Sequence, residues 1–122
     1  MTLYWNLNDA NSRSLRAILA KQNRDVRLIN VNIYNDEHQH PDILQLNPSG
    51  QLPFLVVDDE TFTETNAILR MLCRICPELE KLYPDDAFTK ARVDQMLDFD
   101  TNSFGLSIKT VIETFHEIVQ QR

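Results

Sequence analysis

Cys73 and Cys76 form C-R-I-C, the spacing of a dithiol redox pair. A reactive pair of this kind opens a helix, where the dipole stabilises the thiolate. This one closes the apolar run from Ala67 to Cys76, so its place predicts two buried helix thiols. Asp36-Glu37-His38-Gln39-His40 resembles an H-x-H metal site flanked by acids. Two ligands one residue apart cannot complete a tetrahedral site. The only further candidate, His116, lies far along the chain, so the segment reads as a solvated loop and no metal is expected. Three other places carry usable chemistry. Tyr4, Asp9 and Ser12 put two hydroxyls and a carboxylate close to the N-terminus. Pro53 follows a turn and opens an apolar run. A proline there cannot donate to a ladder and is tolerated as a cis turn, which leaves the backbone of Leu52 free to pair with an extended ligand. Glu64-Thr65 stands where a strand gives way to a helix. Free helix N–H groups donate to a carboxylate and a neighbouring Glu pairs with an ammonium; the plainer reading is a helix cap.

Composition narrows the field. The chain has 122 residues, 12 Lys+Arg against 18 Asp+Glu, and a net charge of −6. That length holds a real core without disulfide staples, and the charge opposes sequence-independent nucleic-acid binding. Gly50 and Gly105 are the only glycines, so no glycine-rich phosphate loop can be written. Two cysteines do not make a secreted disulfide framework. No run approaches the ~18 apolar residues of a membrane span, and no charged-then-apolar leader opens the sequence. A reducing, cytoplasmic setting is the expectation, and an uncleaved organelle import signal is compatible with it.

The elements that must position these groups follow from periodicity. Thr2–Asn6 reads as a strand, and 12–22 as a helix through Leu15, Ile18 and Leu19. Val26–Ile33 reads as a strand of near period two, then a polar loop from Tyr34 to His40. Pro41–Leu46 reads as a short helix with Pro in its first turn. Asn47–Gly50 is a turn, Pro53–Val57 and Thr61–Thr63 a hairpin, and Thr65–Cys76 a helix. The order β-α-β-α-β-β-α predicts an α/β sandwich over 1–80, with a right-handed crossover, a parallel pair and a final hairpin. After a break at Leu82-Tyr83-Pro84 only helical patterning remains over 85–122. It predicts one long helix kinked near Gly105, or two helices.

From Gln51-Leu52-Pro53 onward the pattern is specific. Leu3-Tyr4, Ser12-Arg13, Asn47-Pro48-Ser49-Gly50-Gln51-Leu52-Pro53 and Glu64-Thr65-Asn66-Ala67-Ile68-Leu69 stand in the order and spacing of one family. Leu82-Tyr83-Pro84 and Ala91-Arg92-Val93-Asp94-Gln95 continue it. The chain resembles the cytosolic glutathione transferases: a thioredoxin-like N-terminal domain and the beginning of their all-helical C-terminal domain. The resemblance implies a cis Leu52–Pro53 bond and glutathione as substrate or ligand. The cysteinyl part would pair with Leu52, and Glu64 and Thr65 would take the γ-glutamyl end. Gln51 and His38, nine residues before Asn47, would meet the glycyl carboxylate.

The same resemblance exposes a departure. The family activates the glutathione thiol with a Ser or Tyr hydroxyl, or uses a Cys, just after the first strand. Ungapped alignment from Tyr4 to Arg13 puts Asp9 there. An ionised carboxylate only accepts hydrogen bonds. Beside a thiolate it repels by ~1–4 kcal/mol at 4 Å. Asp9 therefore reads as a turn residue or cap. Tyr4 is a substitute hydroxyl, with a spacing to the helix about one residue too long. Ser12 is a weaker substitute, since it reads as the helix N-cap.

The family's second domain supplies most of the pocket for the electrophile, and this sequence carries only its first one or two helices. Apolar residues around Leu97, Phe104, Val111 and Phe115 would then be exposed in a monomer, so the expectation is either a fragment or a homodimer or protein partner over the C-terminal helices. Three readings compete. One is a glutathione-binding but weakly active or inactive subunit of a larger assembly. Another is an active transferase conjugating small electrophiles with help from Tyr4. The last, a thioredoxin-like redox protein acting through Cys73 and Cys76, lacks a cysteine at the first helix.

Overall fold

The computed structural model describes residues 1–120, with the side chains of 116, 117, 119 and 120 outside the description. It divides into two compact units, Met1–Leu82 and Tyr83–Arg122.

The first unit opens with β1 (Thr2–Trp5), whose Leu3 and Trp5 are buried while Thr2 and Tyr4 are half-buried. α1 (Ala10–Leu19) follows. Its N-cap is Asp9, in extended backbone, with Oδ2 accepting the Ser12 N–H at 2.6 Å. This corrects the expectation that Ser12 caps the helix. Asn8, Asp9, Asn11 and Ser12 are all good caps by type, and the helix starts after the second of them, at Ala10, and ends at Leu19, three residues short of Gln22. Ser12 instead joins Leu15 and Leu19 on the buried stripe.

β2 (Arg27–Asn30) is shorter than the apolar run from Val26 to Ile33 suggests. Ile33 begins a 3₁₀ turn, Ile33–Asn35, and a second one spans Glu37–Gln39, so the loop expected there is locally coiled. α2 (Pro41–Leu46) has the predicted bounds, with Pro at its start and His40 as cap. β3 (Phe54–Val57) and β4 (Glu60–Phe62) form a hairpin. Asp58 and Asp59 both take positive φ, 48° and 68°, as a two-residue turn matching the strand twist requires. α3 (Thr65–Ile75) buries Ile68, Leu72 and Cys73 on one stripe.

The sheet order is β2-β1-β3-β4, with β1 parallel to β2, antiparallel to β3, and β3 antiparallel to β4. Leu3, Leu15, Phe54, Leu55, Ile68 and Leu72 are fully buried and form the core. Each such side chain contributes about 1.5–3 kcal/mol over an exposed one. Arg24 ties the α1–β2 loop to α3 by donating from Nη2 to the Ile75 carbonyl at 2.8 Å.

The second unit is helical. Tyr83 is buried, and its hydroxyl donates to the Asp94 carboxylate at 2.9 and 3.0 Å, with Lys90 Nζ 5.0 Å from its ring. Asp86 caps α4 (Ala87–Phe99), accepting from the Thr89 N–H and hydroxyl. A π-helical segment, Asp100–Phe104, leads without interruption into α5 (Gly105–Gln120). Gly105 is required there, because a Cβ would sit 2.8 Å from the Asp100 carbonyl oxygen. Of the two alternatives, one long helix or two, the elements follow the first in running on without a break, and the irregularity lies in the turn before Gly105. Phe104, Val111, Ile112 and Phe115 are exposed, whereas Leu97 is half-buried. Among the described residues, no helix is long and apolar enough to cross a membrane.

Candidate functional site

The register decides which loops share an end of the sheet. β1 and β2 run parallel, so their C-terminal ends coincide at Trp5 and Asn30. β3 runs the other way, and Tyr4 faces Phe54, its first residue. β4 ends at Phe62, near the start of β3. One end of the sheet therefore gathers the β1–α1 loop with Asp9, the segment after β2, the Leu52–Pro53 turn, and the start of α3 with Glu64 and Thr65.

Leu52–Pro53 is cis, as the resemblance implies. No hydrogen bond among those of the described residues engages the Leu52 backbone, which lies just outside the β3 ladder. The turn before it is rigidly built. Asn47 is buried, its Nδ2 donates to the Gln51 carbonyl at 2.8 Å, and its Oδ1 accepts the Ser49 hydroxyl at 2.9 Å. Gln51 itself is exposed.

Gly50 brings this turn against the His38 segment. Its φ is +64°, and a Cβ would meet the His38 carbonyl oxygen and Gln39 Nε2, each at 3.2 Å. His38 is thus adjacent to the Leu52 turn. Its Nδ1 is buried with no hydrogen-bond partner. His40 is turned to another task, since its Nδ1 accepts the Asp42 N–H at 3.4 Å to cap α2. No group of three metal-ligating side chains occurs among the described residues. The His116 side chain lies outside them.

Glu64 precedes α3 with φ 65° and ψ 107°, and makes no side-chain cap to the helix. A positive φ costs a non-glycine residue of the order of 1–3 kcal/mol and is retained where the surroundings fix it, often at a ligand clamp. Glu64 is exposed and Thr65 half-buried at the start of α3. Glu64 is the N-cap of α3 by position, without a side-chain hydrogen bond to the helix.

The β1–α1 junction is organised by a residue that sequence reasoning passed over. Asn6 is buried. Its N–H donates to Ser12 Oγ at 3.1 Å, its Nδ2 donates to the Val31 carbonyl at 2.8 Å, and its Oδ1 accepts the Asn8 N–H at 2.9 Å. Asn30 Oδ1 accepts the Leu7 N–H at 3.2 Å. The only signal for this was two Asn at the ends of apolar strands, which is indistinguishable from turn chemistry. Ser12 is wholly buried, and its Oγ accepts the Asn6 N–H, which ties it to this junction. Tyr4 stacks on Phe54 with centroids 4.4 Å apart and planes within 8°. Arg16 lies 4.6 Å over the Trp5 ring, and the Trp5 Nε1–H is buried without a partner.

Cys73 and Cys76 are free and buried, at the far end of α3 from Glu64. Burial pushes both thiols up from their ordinary range; the neighbouring Cys76 adds to this for Cys73, while Arg24 partly offsets it for Cys76. A thiol so placed is inert.

A four-stranded mixed sheet with a cis-proline turn at one end and a helical unit after it defines a thioredoxin-like transferase fold. Residues 1–74 match the family described as glutathione S-transferase, N-terminal domain. The chain belongs to the cytosolic glutathione transferase family. Glutathione S-transferase 3 of Zea mays is 32% identical over 88 residues, which cover 71% of this chain and 39% of that protein. The crystal structure of a diazinon-metabolizing glutathione S-transferase of the silkworm Bombyx mori superposes with a TM-score of 0.83 at 30% identity, covering 89% of this chain and 54% of that one. Human glutathione transferase theta-2, solved in complex with glutathione and an unknown ligand, gives 0.77 at 29% identity, covering 83% and 42%. The chain thus spans about half or less of the length of these relatives.

Proposed function

We propose that the chain binds glutathione at the end of the sheet formed by Leu52, Pro53, Glu64 and Thr65, with Gln51 and His38 at the glycyl carboxylate, and that it conjugates weakly or not at all. The binding half is supported by the open Leu52 backbone beside the exposed Glu64 and the start of α3. The observation that carries the second half is the Asp9–Ser12 cap. The residue aligned with the family's hydroxyl is a carboxylate committed to α1, and the nearest serine hydroxyl is buried. In this reading the chain serves as a non-catalytic subunit of a larger assembly. The exposed apolar residues Phe104, Val111, Ile112 and Phe115 support that part.

A second reading keeps activity, with Tyr4 assisting the thiolate. It is favoured by one observation: the hydroxyl of the half-buried Tyr4 enters no hydrogen bond among those of the described residues, while its ring stacks on Phe54. Calorimetric titration with glutathione at millimolar concentration, followed by a conjugation assay with an aryl halide, separates the two. Binding without turnover supports the first reading, turnover abolished by Tyr4→Phe supports the second, and no binding overturns both. Light scattering tests the assembly, which a stable monomer would refute.

A further inference from the structure

Asp9 has a consequence for which form of the ligand the site accepts. This inference rests on the glutathione-binding reading above. A tripeptide paired with Leu52 as an added strand places its middle residue beside the Leu52–Pro53 turn. Tyr4 faces Phe54 across the sheet, so the chain leaving β1, from Asn6 to Asp9, runs over that same end. Asp9 is the only charged residue between Met1 and Ser12. The buried Asn6 is bonded to its neighbours, donating to the Val31 carbonyl and Ser12 Oγ and accepting the Asn8 N–H. Asp9 is half-buried. Its Oδ2 takes the Ser12 N–H, and its Oδ1 accepts no hydrogen bond among those of the described residues.

We infer that Asp9 selects glutathione species whose sulfur is uncharged, the thiol or a thioether conjugate, and excludes the thiolate. The carboxylate accepts a hydrogen bond from an S–H, tolerates a thioether, and repels S⁻. S-substituted glutathione is therefore the ligand class whose binding does not depend on the thiol's titration, whereas free glutathione is held only while its sulfur is protonated.

The other titratable or charged groups that the topology brings to this end are Tyr4 on β1, Arg13 and Arg16 on α1, Asp36, Glu37, His38 and His40 after β2, and Glu64 before α3. Glutathione and S-methylglutathione meet these groups alike and share the same amino and carboxyl groups. The ratio of their dissociation constants isolates the sulfur. With a thiol pKa of about 8.5 and binding of the neutral form alone, that ratio rises roughly tenfold between pH 7.5 and 9.5.

The experiment measures both dissociation constants by calorimetry across that range, on the native chain and on Asp9→Asn. Asn keeps the helix cap and removes the charge. A tenfold rise in the native chain that falls below about twofold in Asp9→Asn is the expected result. Asp9→Ser, also a good cap, gives a second uncharged variant should the first fold poorly. A flat ratio in the native chain overturns the inference while leaving glutathione binding intact, and so does a rise that persists in the variants. Failure of both ligands to bind overturns the binding reading itself.

Discussion

The rings of Tyr4 and Phe54 lie parallel across the β1–β3 pair, 4.4 Å between centroids, at the same end of the sheet as the Leu52–Pro53 turn. The stack holds the Tyr4 ring by its carbon framework and spends none of its hydroxyl. Tyr4→Phe is therefore expected to change stability by less than about 0.5 kcal/mol, as a substitution that alters no packing. Any conjugation rate the protein has would fall only if the hydroxyl assists the thiolate. Urea denaturation beside an aryl-halide assay checks both.

Ser12 is expected to act through the fold and not through the ligand. Ser12→Ala removes the acceptor of the buried Asn6 N–H. Leaving that donor unsatisfied costs about 1–3 kcal/mol. Chemical denaturation should show the loss, while the affinity of the folded protein for glutathione changes little. A large drop in affinity without a stability change would place Ser12 in the site after all.

Gly50→Ala should damage stability and ligand binding together. The φ of +64° costs an L-residue about 1–2 kcal/mol. The added methyl also presses on the His38 carbonyl and Gln39. The melting temperature is expected to fall, and the glutathione dissociation constant to rise by more than Gln51→Ala raises it.

The two buried thiols set an alkaline limit. Their folded pKa values lie above the ordinary thiol value of 9.0, chiefly through burial. Their contribution is complete below the unfolded pKa and is lost as pH rises through the folded values. Stability should therefore decline above about pH 9, less steeply in a Cys73→Ala/Cys76→Ala variant. Iodoacetamide at pH 8 should leave both cysteines unmodified until the chain unfolds.

An acid limit lies in the second unit. Hydrogen bonds from the Thr89 backbone and hydroxyl hold Asp86 below its usual value of 3.8. That contribution is present above the unfolded pKa and disappears as pH falls through the lower folded one. Asp86→Ala should reduce helical circular dichroism at neutral pH and remove this part of the acid transition. Asp86→Asn should preserve the cap and remove only the pH dependence.

Some of this fold was legible from residue types alone. Pro41 and Pro53 bound α2 and β3 because a ring that fixes φ and lacks an N–H fits few places. The α3 stripe was equally plain. The run from Val26 to Ile33 misled because apolar residues alone do not separate a strand from the coil that follows it. Asp9 caps α1, as one of its two readings had it, and Ser12 does not, because both residues cap helices well and only the burial of Leu15 and Leu19 fixes where α1 must begin. Glu64 carried no local sign of its left-handed backbone, since that conformation is imposed by the β4–α3 junction and runs against its own preference. The Gly50 approach to His38 joins segments twelve residues apart and had no sequence signal beyond a glycine in a turn.

Trp5, finally, is the chain's only tryptophan, buried in the first unit beneath the Arg16 guanidinium. Its emission reports melting of the sheet in which it is buried, whereas far-ultraviolet ellipticity is weighted toward the helices. Followed together through one denaturation, the two signals form a built-in comparison. Coincident midpoints would mean that the sheet and the helical unit unfold as one body, and a gap between them would measure how far each stands alone.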